Sequence, residues 1–265
     1  MKRFLASLAI LAGTTAFAVA ADMVVKAPPS AMAPTYSWTG FYVGGTGGAA
    51  WGSFDPSTST VCVPGDYLAC INVPAVNAAG AQSIKPAAFT GGFETGYNWQ
   101  ANSFVFGLEG DIETLHLSGG ATTTALYPGA PPGGVCPASC FTISSSASTN
   151  WVATARGRVG YAVNNWLFFA TGGAAFTSLH ANFSFMDPTP AAEALSFSGS
   201  KTGYAVGGGA EAGLWGNWTV KVEYLYVNFG TVSATGTFTI PLPQPMFHSI
   251  DLKANIARAG LNYRF

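Results

Sequence analysis

The chain has 265 residues, of which 9% are charged and 49% hydrophobic, and its formal net charge is −1. That balance leaves no basic footprint for nucleic acid, and it falls well below the about 25–35% charged surface that suits a soluble domain. Beyond the N-terminus no apolar run reaches the roughly 18–20 residues of a spanning helix, so a chain this apolar is expected to cross a membrane with strands.

Residues 1–21 read as a secretory signal, with Lys2 and Arg3 as the basic start, Phe4 to Ala12 as the apolar stretch and Ala18-Val19-Ala20 as the small-residue cleavage site. Residues 22–37 follow as a Pro-rich strap, from Ala27-Pro28-Pro29 to Pro34, expected in the periplasm. Residues 38–265 form the third unit. Within it, eight segments alternate hydrophobic and polar residues, near Gly40–Gly52, Ala88–Trp99, Phe104–Leu117, Trp151–Val163, Trp166–Leu179, Gly203–Leu214, Trp218–Phe229 and Ile250–Phe265. Short connections (Gln100–Ser103, Asn164–Asn165, Trp215–Asn217) alternate with long ones (Ser53–Ala87, Ser118–Asn150, His180–Thr202, Gly230–Ser249). The reading is an all-β fold: an eight-stranded, antiparallel, up-and-down transmembrane barrel with short periplasmic turns and long extracellular loops. The loops are rich in Ala, Gly, Pro, Ser and Thr, as in Tyr127 to Gly134, and are expected to be exposed and mobile.

In a barrel wall, lipid-facing and lumen-facing residues alternate with period two. The seventh segment then sends Trp218, Val220, Val222, Tyr224 and Tyr226 outward, and Thr219, Lys221 and Glu223 inward. The third turns Glu109, Asp111 and Glu113 inward, and the fourth Arg156 and Arg158, with Glu94 and Glu211 inward on the second and sixth. Third and fourth segments are expected to be neighbours, so opposite charges face each other across a lumen only wide enough for side chains. An ion-pair network of Glu94, Glu109, Asp111, Glu113, Arg156, Arg158, Glu211, Lys221 and Glu223 is expected to plug it, leaving at most a narrow pore. In the last segment Ile250, Leu252 and Ile256 have one parity and Leu261, Tyr263 and Phe265 the other, which predicts a bulge near Ala257. Aromatic residues including Trp38, Phe41, Trp99, Trp166, Trp215 and Phe265 gather at the short-turn end, as an interfacial girdle does.

Four cysteines in an exported chain allow three pairings. Local bridges, Cys62–Cys70 and Cys136–Cys140, are the first expectation, whereas a zinc site would need four thiolates converging from separate loops. No cofactor, metal site or catalytic residue is expected.

The stretch Tyr36-Ser37-Trp38-Thr39-Gly40-Phe41-Tyr42-Val43-Gly44-Gly45 resembles the start of the alphaproteobacterial porin-like outer-membrane β-barrel proteins, and so does the ending Ala259-Gly260-Leu261-Asn262-Tyr263-Arg264-Phe265, with Glu223-Tyr224-Leu225-Tyr226 before it. The resemblance implies a Gram-negative outer membrane and a structural or surface-interaction role. It implies lipid, lipopolysaccharide and the assembly machinery as partners, with Phe265 as the terminal assembly signal. Some family members are associated with haemin, which makes His116, His180 and His248, all at the long-loop end, a candidate ligand set for haemin or a small molecule. His116-Leu117-Ser118 is similar to the His-x-Ser pair of lipid A deacylases, so a lipid A-modifying enzyme is the other alternative, although no acid follows between Gly119 and Asn150 to orient the base.

Overall fold

A computed structural model of the chain describes residues 36–188, 191–238 and 242–265. The signal and most of the strap lie outside the described residues. Ten strands and one helix follow in order: β1 (Gly40–Thr60), α1 (Val73–Gly80), β2 (Ala87–Ala101), β3 (Phe104–Leu115), β4 (Ser118–Leu126), β5 (Cys140–Ser148), β6 (Trp151–Val163), β7 (Trp166–Met186), β8 (Ala192–Gly213), β9 (Trp218–Phe238) and β10 (Gln244–Arg264). Eight of them close a ring, β1–β2–β3–β6–β7–β8–β9–β10 and back to β1, every pair antiparallel. Closure leaves no unpaired edge in the membrane, where an orphaned N–H or C=O is very costly.

The short turns owe their tightness to asparagine. Asn102 and Asn164 open the β2–β3 and β6–β7 turns with φ of 55° each, a left-handed conformation that asparagine tolerates better than most side chains. The β8–β9 turn uses Gly216 at φ 58°.

The segments expected to be long loops are largely strand. β1, β7, β9 and β10 have 21 residues each and β8 has 22, about twice the roughly 9–11 residues that cross a bilayer. At about 3.3 Å per residue and a tilt near 40°, such strands rise roughly 50 Å, so half the barrel stands above the membrane. The expected loop Ser118–Asn150 is mostly the hairpin β4–β5, which continues β3 and β6 upward. The break is bridged by Leu115 N–H to Asn150 O (2.9 Å) and Thr149 N–H to Leu117 O (2.8 Å). Above the membrane β7 exchanges β6 for β5 as partner, Ser148 to Thr142 lying against His180 to Met186. α1 fills the remaining gap between β1 and β4 with Val76 fully buried, and the Gln82 side-chain amide just after it donates to Thr123 Oγ1 (3.0 Å) and to Ile143 O (3.1 Å).

The two halves of the wall have opposite polarity. In the membrane half Phe106, Leu108, Val159, Val220 and Val222 face outward and are exposed, while the charged residues face in. Higher up, the outer face carries Ser and Thr, and the inner face closes on Phe54, Leu115, Leu117, Leu179, Phe183, Leu225, Ile250, Leu252 and Ile256. This reversal removes the bulge expected near Ala257. Alternation runs unbroken through β10, and Ile250, Leu252 and Ile256 point inward because they belong to the upper apolar core. The irregularity is on β9 instead, where the pairing with β10 shifts between Asp251–Thr231 and Lys253–Asn228, beside Gly230 at φ 69°.

A second correction concerns Trp38. It is not part of the outer girdle but sits 1% exposed inside the turn-end mouth, packed with Val105, Leu167 and Phe169. Its backbone N–H donates to Gln100 Oε1 at 2.6 Å. Phe41, Tyr97, Trp99, Phe104, Tyr161, Trp166, Trp215, Trp218 and Phe265 do face outward there.

Candidate functional site

Between the Trp38 stopper and the upper apolar core lies a layer of buried charge. Six carboxylates (Glu94, Glu109, Asp111, Glu113, Glu211, Glu223) interleave with four cations (Arg156, Arg158, Lys221, Arg258), all buried. β3 supplies three acids on successive inward positions, and its neighbour β6 supplies Arg156 and Arg158 across from them. Arg156 reaches Glu109, Asp111 (2.7 Å) and Glu223 (2.8 Å), spanning from β3 to β9 across the lumen. Arg158 holds Glu211 at 2.8 Å. Lys221 Nζ lies 2.5 Å from Glu94, 3.0 Å from Glu109 and 3.7 Å from Glu223. Interleaving of this kind is what low-dielectric surroundings demand, since each unpaired ion would carry a desolvation penalty of several kcal/mol.

Neutral donors complete the layer. Tyr42 donates its hydroxyl to Glu109 (2.6 Å), Thr154 to Asp111 (2.6 Å), Thr90 to Glu113 (2.9 Å) and Thr219 to Glu211 (2.5 Å). Inward glycines make the room. A Cβ on Gly92 would lie 2.8 Å from Cγ of Glu113, and one on Gly48 2.9 Å from Cβ of Arg258.

Carboxylate oxygens of Glu94, Glu109 and Glu223 converge within 4.8 Å of one another, close enough to hold a cation. Lys221 already stands among them, so the trio is the cage of an ammonium ion rather than a metal centre.

All nine residues expected in the network lie in it. Arg258 was not among them, yet it makes the most connections: Glu223 (2.5 Å), Glu113 (2.6 Å) and Asp111 (3.3 Å), with Glu94 and Glu109 at 3.8 Å. It shares its parity with the apolar Leu252 and Ile256, which masks an inward position. Asn262, two periods of the same alternation lower, also points inward and is 1% exposed.

The three histidines do not converge. His116 and His180 are exposed on the outer face. His248 is 2% exposed inside the upper half, its Nδ1 3.0 Å from Thr58 Oγ1, its Nε2 3.1 Å from Glu193 Oε2 and its ring against Phe183. They stand on opposite sides of the wall and cannot ligate one ion together. Ser118 is exposed on the outer face beside His116, in one row with Ser148 and His180.

The upper end is braced by two bridges, Cys62–Cys70 and Cys136–Cys140, with Cα separations of 4.9 and 5.1 Å. Between them Tyr67 and Tyr127 donate to the Asp187 carboxylate at 2.6 and 3.0 Å. Burial, and then the nearby Asp187 charge, raise the Tyr127 phenol above its ordinary range, so it stays a donor.

Residues 10–265 match the family model described as outer membrane protein beta-barrel domain. The 31 kDa outer-membrane immunogenic protein of Brucella melitensis biotype 1 is 32% identical over 98% of this chain and 98% of that protein. The 22 kDa outer membrane protein of Rhizobium leguminosarum bv. viciae is 30% identical over 74% of this chain and 66% of its own length. The 25 kDa outer-membrane immunogenic protein of Brucella abortus biovar 1 is 28% identical over 82% of this chain and 79% of its own.

Proposed function

The chain belongs to the outer membrane protein beta-barrel domain family and lies in the outer membrane of a Gram-negative bacterium, and we propose that it serves there as a closed structural and surface-contact barrel, neither an open pore nor an enzyme. The observation that carries this reading is the position of the charged layer. It fills the cross-section with paired ions, the Trp38 stopper lies below it and an apolar core above it. An ion crossing would have to break several buried pairs and then enter a hydrocarbon-like interior, each step costing several kcal/mol.

The names of the Brucella relatives call those proteins immunogenic. For this chain, exposure at the surface is supported by strands that rise far above the membrane and by tips stapled with disulfides. Its immediate partners in this reading are outer-membrane lipid, lipopolysaccharide and the assembly machinery. Planar-bilayer recording of the purified mature barrel tests the proposal. The expected trace is silent, and steady, large single-channel currents from the unmodified protein would overturn it.

A further inference from the structure

The outer face of the upper wall is clad in Ser and Thr, and its formal charges are gathered in one place. Among the described residues they are Asp55 on β1, Asp251 and Lys253 on β10, and Lys85 just before β2. Residues 84–86 keep that approach to β2 in step with β1. Phe54 N–H donates to Ile84 O (2.9 Å), Ile84 N–H to Phe54 O (2.8 Å) and Gly52 N–H to Pro86 O (2.8 Å). Lys85 therefore stands beside Ser53 on one side, and Lys253 is the register partner of Ser53 on the other. Asp55 and Asp251 face each other one outward position higher, the first bonded to Ser53 and Ser83, the second to Thr231 and Lys253. The charges are thus sorted by height, with the cations next to the membrane and the carboxylates above them.

Below the lysines the same strands present a groove to the lipid. Trp51, the next outward residue under Ser53, marks the headgroup level, about 25 Å above Phe41 at the turn end. Under it lie Ala49, Gly47 and Gly45 on β1, opposite Ala257, Ala259 and Leu261 on β10. The groove holds about 620 Å³, floored by Gly47, Ala257, Ala259 and Gly208, with Val222 and Tyr224 as one rail. Phe89 and Phe93 on β2 form the other rail. They are 87% and 75% exposed, because their cross-strand partners Ala49 and Gly45 give the rings nothing to lean on. Rail to rail is three strand spacings, about 14 Å. The wall itself does not demand the outward glycines. A Cβ on Gly45, Gly47 or Gly91 would meet nothing closer than 3.4 Å, whereas one on the inward Gly44, Gly48 or Gly92 would come within 2.1 Å of an atom. Bare backbone weakens a strand and marks close approach from outside it.

We infer that the β1–β10 seam docks a phosphate-bearing glycolipid of the outer leaflet. Its phosphate lies between Lys85 and Lys253 beside the Ser53 hydroxyl, and its acyl chains fill the groove below. Charge selects this occupant: the two ammonium groups stand at headgroup height directly over an apolar floor, so one anionic amphiphile meets both. A second smooth face, around Ala155, Gly157 and Gly172, has no lysine over it among the described residues. Sugar hydroxyls above the phosphate meet Asp55 and Asp251 as acceptors. This contact rests on the outer-membrane placement given above and gives its lipopolysaccharide partner a site. It does not depend on the barrel being closed, so a conducting trace and a failed lipid-binding assay are separate outcomes.

The test titrates the full mature protein in detergent with bis-phosphorylated lipid A, and with the same lipid A stripped of phosphate. Native mass spectrometry reads the bound lipid. The phosphorylated form should be retained, and the stripped form should bind at least about tenfold more weakly. The double variant Lys85→Gln and Lys253→Gln, confirmed as folded by heat-modifiable mobility, should lose about tenfold for the phosphorylated form and nothing for the other. Gly47→Leu, whose side chain has room outside the wall, should weaken both forms by filling the groove. Gly157→Leu, on the other smooth face, should change neither. Equal retention of the two lipids, unchanged affinity in the glutamine variant, or equal losses in the two leucine variants would overturn the site. So would inorganic phosphate binding alone with the same lysine dependence, which makes it a free-anion site. A lipid-free dimer that Gly47→Leu abolishes would make a second copy the occupant and overturn it as well.

Discussion

Arg258 donates to Glu223, Glu113 and Asp111 at once, so truncating it strands three carboxylates in a site that water does not reach. Arg258→Ala and Arg156→Ala should each lower stability by about 3–5 kcal/mol, as broken buried pairs do, measured as the shift of the urea midpoint of the barrel in detergent. Arg258→Lys should rescue only part of this, because one ammonium cannot fork between two carboxylates. Glu94→Gln should be much milder: Glu94 Oε1 makes no hydrogen bond among the described residues, and Lys221 keeps Glu109 at 3.0 Å. At the mouth, Trp38→Ala removes a side chain that is 1% exposed and should cost about 3–5 kcal/mol. The acids and Arg156 were legible from sequence because they sit among obvious lipid-facing residues. Arg258 was not, since its apolar neighbours Ile256 and Leu252 line an inner core that alternation alone cannot tell from a lipid face. Trp38 was misread for a related reason: a tryptophan at a membrane rim looks the same whether it lies outside the mouth or in it.

The hairpin β4–β5 explains why a strand above the membrane escaped notice. Its inward residues include Gly119, Ala121, Ser145 and Ala147, so the period-two contrast between faces is slight, and Ser and Thr on the outer side read as loop. What holds it is pairing with β7 and side chains bonded in rows, Thr122 to Ser144 and Thr124 to Thr142 at 3.0 Å each. Replacing residues 118–148 by a two-residue turn should leave the membrane ring intact, judged by heat-modifiable mobility. It should also unprotect those amides of 180–186 that point to β5, while the alternate ones, bonded to β8, stay protected. Retained protection of the β5-facing amides would mean that β7 does not depend on the hairpin.

At the level of the whole molecule, β10 closes the ring against β1, and the residue that follows it is anchored. Phe265 donates its backbone N–H to Phe41 O at 2.9 Å, and its ring lies 5.9 Å from that of Phe41 and 5.1 Å from that of Tyr263. Deleting Phe265 removes this interfacial anchor together with the assembly signal we propose for it, so the yield of compact, membrane-inserted protein should fall sharply while Asn262→Ala does far less. Wild-type amounts of the heat-modifiable form after the deletion would refute the signal. Ring size, turn positions and closure were legible in the sequence because tight asparagine and glycine turns punctuate strong alternation. The height of the barrel was not, because its upper wall reverses polarity and so breaks the pattern by which a membrane strand is recognised.

Because β10 keeps one parity from Gln244 to Asn262, turning Arg258 into the charged layer and Ile250 into the apolar core, the strand behaves like a text read in a two-letter frame. One inserted residue after Ala257 exchanges inside for outside along everything on one side of it, driving arginine into lipid or leucine into water. Two inserted residues restore the frame and shift the register alone. Single insertions in the body of β10 should therefore abolish the inserted form. Double insertions should be less damaging, and additions at 242–243, beyond the strand, should pass unnoticed in the same gel assay. The tips are free of this frame, and within the wall an odd step needs a bulge such as the one beside Gly230 on β9, where the inward parity does change.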